Sequence, residues 1–81
     1  MKLTLLLFAR ARELVGQPAV ELEVTDRVTI GELRGILADV FPQLGPLSGS
    51  LLWAVNNDYA DDGRQLQPAD TVACFPPVSG G

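Results

Sequence analysis

The chain has 81 residues, enough for one small domain with one core. Its net charge of −4 and pI near 4.4 lack the basic field that phosphate neutralisation requires, which argues against nucleic acid and suits docking onto a basic protein surface. With no histidine and one cysteine, Cys74, an intrachain disulfide framework, a Cys/His zinc site and any Ser-His or Cys-His catalytic pair are excluded.

Leu3 to Phe8 is an apolar run with little polar relief, and it reads as a strand buried on both faces and central in its sheet. With Met1-Lys2 before it and Ala9-Arg10-Ala11 after it, the run has a faint look of a signal peptide. Charges at Arg10, Arg12 and Glu13 follow at once, and cleavage would remove the best strand, so a reducing, cytoplasmic setting is expected instead. Ala9 to Val15 spells one or two helical turns stopped by Gly16, and Pro18 marks a turn. Val20, Leu22 and Val24 alternate with Glu21 and Glu23, the pattern of a half-exposed strand in a hairpin with the first. Thr29 and Glu32 have capping-box spacing, and Ile30, Leu33, Ile36, Leu37, Val40 and Phe41 follow on one helical face that Pro42 ends. Gln43 to Ser50 reads as a loop, Leu51 to Asn56 as a strand carrying Trp53, and Asn57-Asp58 and Asp61-Asp62-Gly63 as turns. Thr71 to Phe75 is the final strand. The order predicts an α+β domain: a mixed sheet of four or five strands, covered on one face by one main helix. No run approaches the ~20 apolar residues of a membrane span.

After that strand come Pro76-Pro77-Val78-Ser79-Gly80-Gly81. The prolines fix φ and hold the chain extended, while glycines without Cβ can pass a constriction closed to other residues. Six such residues reach about 20 Å. The chain therefore divides into a domain over residues 1–75 and an extended functional tail over 76–81. Such a tail suits a carboxylate delivered into another protein's active site. Against that stands an unstructured end, which would more often be polar than Pro-Pro-Val.

Strand-strand-helix-strand-strand followed by Gly-Gly resembles the β-grasp fold of ubiquitin-like proteins. Within that group the chain is similar to the sulfur-carrying small subunits of molybdopterin synthase. The matching residues are Phe8-Ala9-Arg10-Ala11-Arg12-Glu13-Leu14-Val15-Gly16, Ala54-Val55-Asn56, Leu66 with Asp70, Val72 and Ala73, and the run from Phe75 to Gly81. Two positions depart from the pattern. Ala69 stands where a glycine is common, which bears on the turn type, and Cys74 where an aromatic or aliphatic residue is common, which bears on packing at the tail root.

The resemblance implies the chemistry. The Gly81 carboxylate attacks the α-phosphate of ATP on an adenylating enzyme of the ubiquitin-activating type. A sulfur donor enzyme converts the acyl-adenylate to a thiocarboxylate. The loaded tail, threaded through Gly80, Ser79, Val78, Pro77 and Pro76, then enters the large synthase subunit of a heterotetramer and gives sulfur to a cyclic pyranopterin monophosphate. No stably bound cofactor and no metal are expected, and the chain supplies the carrier atom rather than acid–base catalysis. Carriers for thiamin, tRNA thiolation or cysteine synthesis, lysine-joining modifiers and an inert interaction module are the alternatives.

Other polar pairs read as structural. Arg12 and Glu13 point apart on a helix, which favours salt bridging or binding over acid–base chemistry. Asp61-Asp62 reads as a solvated turn rather than a metal site, and Cys74 as a small buried hydrophobe rather than the sulfur carrier. The uncovered face of the sheet is expected to carry the partner interface, with Phe8 and Phe75 side by side and Tyr59 joining them.

Overall fold

A computed structural model describes residues 1–77 of the chain. The strands are β1 (Lys2–Leu7), β2 (Ala19–Glu23), β3 (Leu52–Val55), β4 (Asp58–Ala60) and β5 (Val72–Phe75), and they form one sheet in the order β2-β1-β5-β3-β4. The pair β1/β5 is parallel, and β1/β2, β3/β5 and β3/β4 are antiparallel. The helices are α1 (Ala9–Val15), α2 (Ile30–Val40) and α3 (Gly45–Ser48), with a 3₁₀ turn over Pro42–Leu44. This is the mixed, five-stranded α+β sheet that the sequence predicts.

The core lies on one face of the sheet. Leu3, Leu5 and Leu7 of β1, Val20 and Leu22 of β2, Trp53 and Val55 of β3, and Val72 and Cys74 of β5 point into it. Ile30, Leu33 and Leu37 of α2 close it from above, joined by Ala11, Leu44 and Leu66. Two expectations change here. β1 is an interior strand, but it is buried on one face only: Thr4 is exposed and Leu6 half-buried between its core leucines. Val40 is also off the core face of α2, at 51% exposure, because the helix ends there and the chain turns away.

The start of α2 is closed by both side-chain and backbone hydrogen bonds. The Thr29 hydroxyl accepts from the Glu32 amide at 3.2 Å, and the Glu32 carboxylate accepts from the Thr29 amide at 2.9 Å. This capping box satisfies donors that a helix N-terminus leaves free. Two more are taken by the loop after β4: Ile30 N–H donates to the Arg64 carbonyl at 3.0 Å and Gly31 N–H to the Asp62 carbonyl at 2.9 Å. A Cβ at residue 31 would stand 3.2 Å from the Asp62 Cβ and 3.3 Å from its carbonyl oxygen, so glycine permits this close approach.

Three loops differ from their sequence reading or refine it. The segment read as a loop over Gln43–Ser50 contains the 3₁₀ turn and α3, because Leu44 is buried and Leu47 half-buried against the core and each turn starts with a proline at or near its first position. The β3–β4 hairpin turns on Asn56 and Asn57 (φ 53° and 72°), one residue earlier than expected; two left-handed residues match the twist of a two-residue hairpin, and Asn tolerates them. In the turn Gln67–Asp70, Ala69 keeps a negative φ, so no glycine is needed there.

Candidate functional site

Alternation along the strands decides what reaches the open face of the sheet. In register, Leu6 pairs with Ala73, Ala73 with Ala54, and Ala54 with Tyr59, which makes one row of side chains across four strands. Leu52 pairs with Phe75 in the next row. The parallel register Leu7–Cys74 leads into Phe8 and Phe75 at the same sheet end. Ala9, at φ 53°, then turns the chain out of β1 and into α1, leaving Phe8 at the rim.

The face is apolar where the chain leaves the sheet. Tyr59 is 78% exposed, Phe8 46% and Leu52 39%, and Phe75 is half-buried. The Tyr59 and Phe75 rings lie 6.0 Å apart at 57°, a tilted aromatic contact. The opposite corner is polar: Lys2 stands opposite Glu23, and Thr4 opposite Glu21. Phe8, Tyr59 and Phe75 thus share one end and one face of the sheet, and none belongs to the buried core. Leu6, Leu52, Ala54 and Ala73 complete the patch. Reading β1 as buried on both faces hides Leu6, and Leu52, Ala54 and Ala73 join it only through strand register.

Pro76 is half-buried and Pro77 exposed directly after β5. Val78, Ser79, Gly80 and Gly81 lie outside the described residues, so the expectations placed on them are neither met nor altered by the geometry.

The polar groups around the patch are committed to structure. Glu13 pairs with Arg10 at 3.2 Å rather than with Arg12, which makes no ion pair among the described residues. Asp62 accepts from Arg34 at 2.7 Å, and Asp61 accepts from the Gly63 amide at 3.0 Å. Arg34 was not anticipated as a key residue. Its guanidinium also donates to the carbonyls of Ser48 and Leu51 at 2.7 and 2.8 Å and lies 5.8 Å from the Trp53 ring centre, so it ties α2 to the start of β3 and to the loop after β4. Among the described residues no group of His, Cys, Asp and Glu converges to hold a metal ion, and no helix is long and apolar enough to cross a membrane.

Cys74 is fully buried between β1 and β3. Desolvation pushes its thiol up to about 12, only partly opposed by the Arg34 charge. A buried thiol of this kind is neither nucleophile nor sulfur acceptor at neutral pH. At the far end of the sheet, Asp70 accepts from the Gln67 amide at 2.8 Å and the Asn56 side chain at 2.9 Å, and these bonds hold its carboxyl below the ordinary carboxylate value.

The family model described as ThiS family matches residues 5–81. A molybdopterin synthase sulfur carrier subunit of Arabidopsis thaliana is 36% identical over 81 residues, covering 100% of this chain and 84% of that protein. The subunit of the same name from Escherichia coli (strain K12) is 41% identical over 78 residues, covering 94% of this chain and 95% of that one. Among solved structures, SAMP1 from Haloferax volcanii superposes with a TM-score of 0.84 at 28% identity, covering 100% of both chains. A complex of subunits 1 and 2 of molybdopterin-converting factor from Helicobacter pylori 26695 includes a chain of the same fold, with a TM-score of 0.71 at 23% identity and 100% of both chains covered. A profile match over nearly all of the chain, with relatives above 30% identity along their length, places it without ambiguity: the chain belongs to the ThiS family.

Proposed function

We propose that this chain is the sulfur-carrying subunit of a molybdopterin synthase, with Gly81 as the carrier residue. The carboxylate is a poor electrophile until one of its oxygens attacks the α-phosphate of ATP and displaces pyrophosphate. On the resulting acyl-adenylate, a sulfur donor displaces AMP and leaves a thiocarboxylate. Its sulfur is anionic and polarisable at neutral pH, and therefore nucleophilic toward a cyclic pyranopterin monophosphate held by the large subunit. The partners are that subunit, an adenylating enzyme of the ubiquitin-activating type and a sulfur donor enzyme, in the cytoplasm. Residues 1–75 dock and residues 76–81 deliver. ATP is bound by the adenylating enzyme, and this chain keeps no cofactor of its own.

The observation that carries the reading is the apolar patch of Phe8, Tyr59 and Phe75 at the sheet end from which the chain runs toward Gly81. A docking surface at the tail root orients the tail into whatever the surface binds, and a fixed root turns a short extended segment into a directed one. Burial of Cys74 supports the C-terminus, rather than the thiol, as the sulfur site.

The test is intact mass after incubation with the adenylating enzyme, ATP and a sulfur donor. The reading expects a gain equal to sulfur replacing oxygen, confined to the C-terminal peptide. It further expects that the loaded chain, with the large subunit, converts the cyclic monophosphate to a dithiolene. A modifier that joins lysines uses the same activation and is the second reading; SAMP1, a small archaeal modifier protein, shares the fold. Under that reading the activated tail ends as an amide on a target.

A further inference from the structure

Three residues carry the chain from the end of β1 into α1, and each breaks a local rule. Phe8 stands at the N-cap of α1, where Ser, Thr, Asp or Asn would accept from the free amides, and no side chain caps this helix. Ala9 has φ 53°, a left-handed conformation that its Cβ disfavours. Arg10 puts a cation into a first turn that holds no acid, against the helix dipole. The bond from the Arg12 amide to the Phe8 carbonyl is long, at 3.4 Å. Apart from the hairpin asparagines, the one other non-glycine residue with positive φ among the described residues is Arg27, which follows the far end of β2.

The corner is held from both sides. Leu7 before it and Ala11 after it belong to the core, and the Leu7 amide donates to the Pro18 carbonyl at 2.8 Å. Phe8 keeps extended dihedrals, φ −132° and ψ 155°, so strand alternation carries its side chain to the face opposite Leu7. Ala9 then reverses the course of the chain, and its conformation sets where Phe8 stands. A residue with a Cβ has one small well at positive φ, whereas glycine spreads over much of that region. Local penalties gathered beside an exposed aromatic mark a corner kept for binding rather than for stability.

Resting on the function proposed above, we propose that Ala9 is a positioning residue: its Cβ confines the corner to one left-handed well and fixes Phe8 on the docking face before the large subunit arrives. Phe8 is then ordered in folding rather than in binding, which spares the complex that cost. Removing the Cβ relieves the left-handed penalty and at the same time loosens Phe8. Stability and docking therefore answer Ala9→Gly in opposite directions, which a purely structural residue does not do.

The full chain is titrated with the large synthase subunit, beside thermal melts, as the native protein, Ala9→Gly, Ala9→Asn, Phe8→Ala and the double variant. Ala9→Gly is expected to melt at or above the native temperature, because glycine suits positive φ, and to raise the Kd about two- to tenfold, the range for ordering one side chain. Ala9→Asn keeps a Cβ and tolerates the left-handed well, so native docking is expected. Adding Ala9→Gly to Phe8→Ala is expected to change the Kd no further, because Ala9 acts through Phe8. Native docking by Ala9→Gly, a fall in its melting temperature, weakened docking by Ala9→Asn, or a further loss in the double variant would each overturn the proposal alone. Absence of binding by the native chain would overturn it together with the function on which it rests.

Discussion

Leu6 and Leu7 are neighbours in one apolar run, and the pleat sends them to opposite faces. Leu7 packs into the core, whereas Leu6 stands in the row that crosses the open sheet to Tyr59. The same parity puts Cys74 inside and Phe75 outside, one residue apart. Truncating Tyr59, the most exposed aromatic, is expected to leave the isolated domain within about 0.5 kcal/mol of its stability. Truncating Phe75 to Ala is expected to weaken large-subunit binding by about 2 kcal/mol or more, as for central aromatic anchors. Titration of the two partners beside a thermal melt measures both quantities. Full unfolding of the free Phe75→Ala chain, or binding unchanged by it, would remove Phe75 from the interface.

Cys74 gives a residue-scale prediction with a defined pH window. Its folded thiol holds its proton up to about 12, whereas an unfolded one titrates near 9.0. Between those values the folded state binds more protons, so stability falls as pH rises through the window. Thiol reagents at pH 8 should leave the folded chain unmodified and react fully once it is denatured. Asp70 works in the opposite sense. Its lowered value means that its contribution is present above the ordinary 3.8 and is lost as pH falls below it. Asp70→Ala is expected to cost on the order of 1 kcal/mol at neutral pH and less in acid, readable from melts at two pH values.

At the scale of elements, α2 holds two glycines with opposite reasons for being there. A Cβ at Gly35 meets nothing within 4 Å, so Gly35→Ala should stabilise the helix by about 0.5–1 kcal/mol. A Cβ at Gly31 would press on the Asp62 backbone and the hydrogen bond that caps the helix, so Gly31→Ala should destabilise the domain despite the same gain in propensity. Chemical denaturation of the two variants separates local propensity from tertiary fit, and equal shifts of the same sign would contradict the distinction.

These contrasts also explain which elements were legible in the sequence. Alternation at Val20, Leu22 and Val24, the Thr29–Glu32 box and the stop at Gly16 are local signals, and each stands where it was read. The segment after Pro42 was not legible because its helical turns depend on Leu44 and Leu47 reaching a core assembled from distant residues. The role of Arg34 was hidden for the same reason: its acceptors, on Ser48, Leu51 and Asp62, come together only through the fold.

For the whole molecule, a one-sided core leaves the other face of the sheet uncovered, and its apolar end is the docking surface proposed above. The apolar content that exceeds the needs of so small a core is the content that lines the open face. Phe8, Tyr59 and Phe75 could be placed from the sequence because they flank turns and the tail. The rest of the patch required strand register, which no single run reveals. The most direct measurement is mass analysis of the C-terminal peptide after reaction with the adenylating enzyme, ATP and a sulfur donor, in the native chain and in one extended past Gly81. The account predicts sulfur in place of one oxygen on the native C-terminal peptide, no sulfur on the extended chain, and equal melting temperatures for both. Sulfur found on the peptide containing Cys74, or loading of the extended chain, would contradict it.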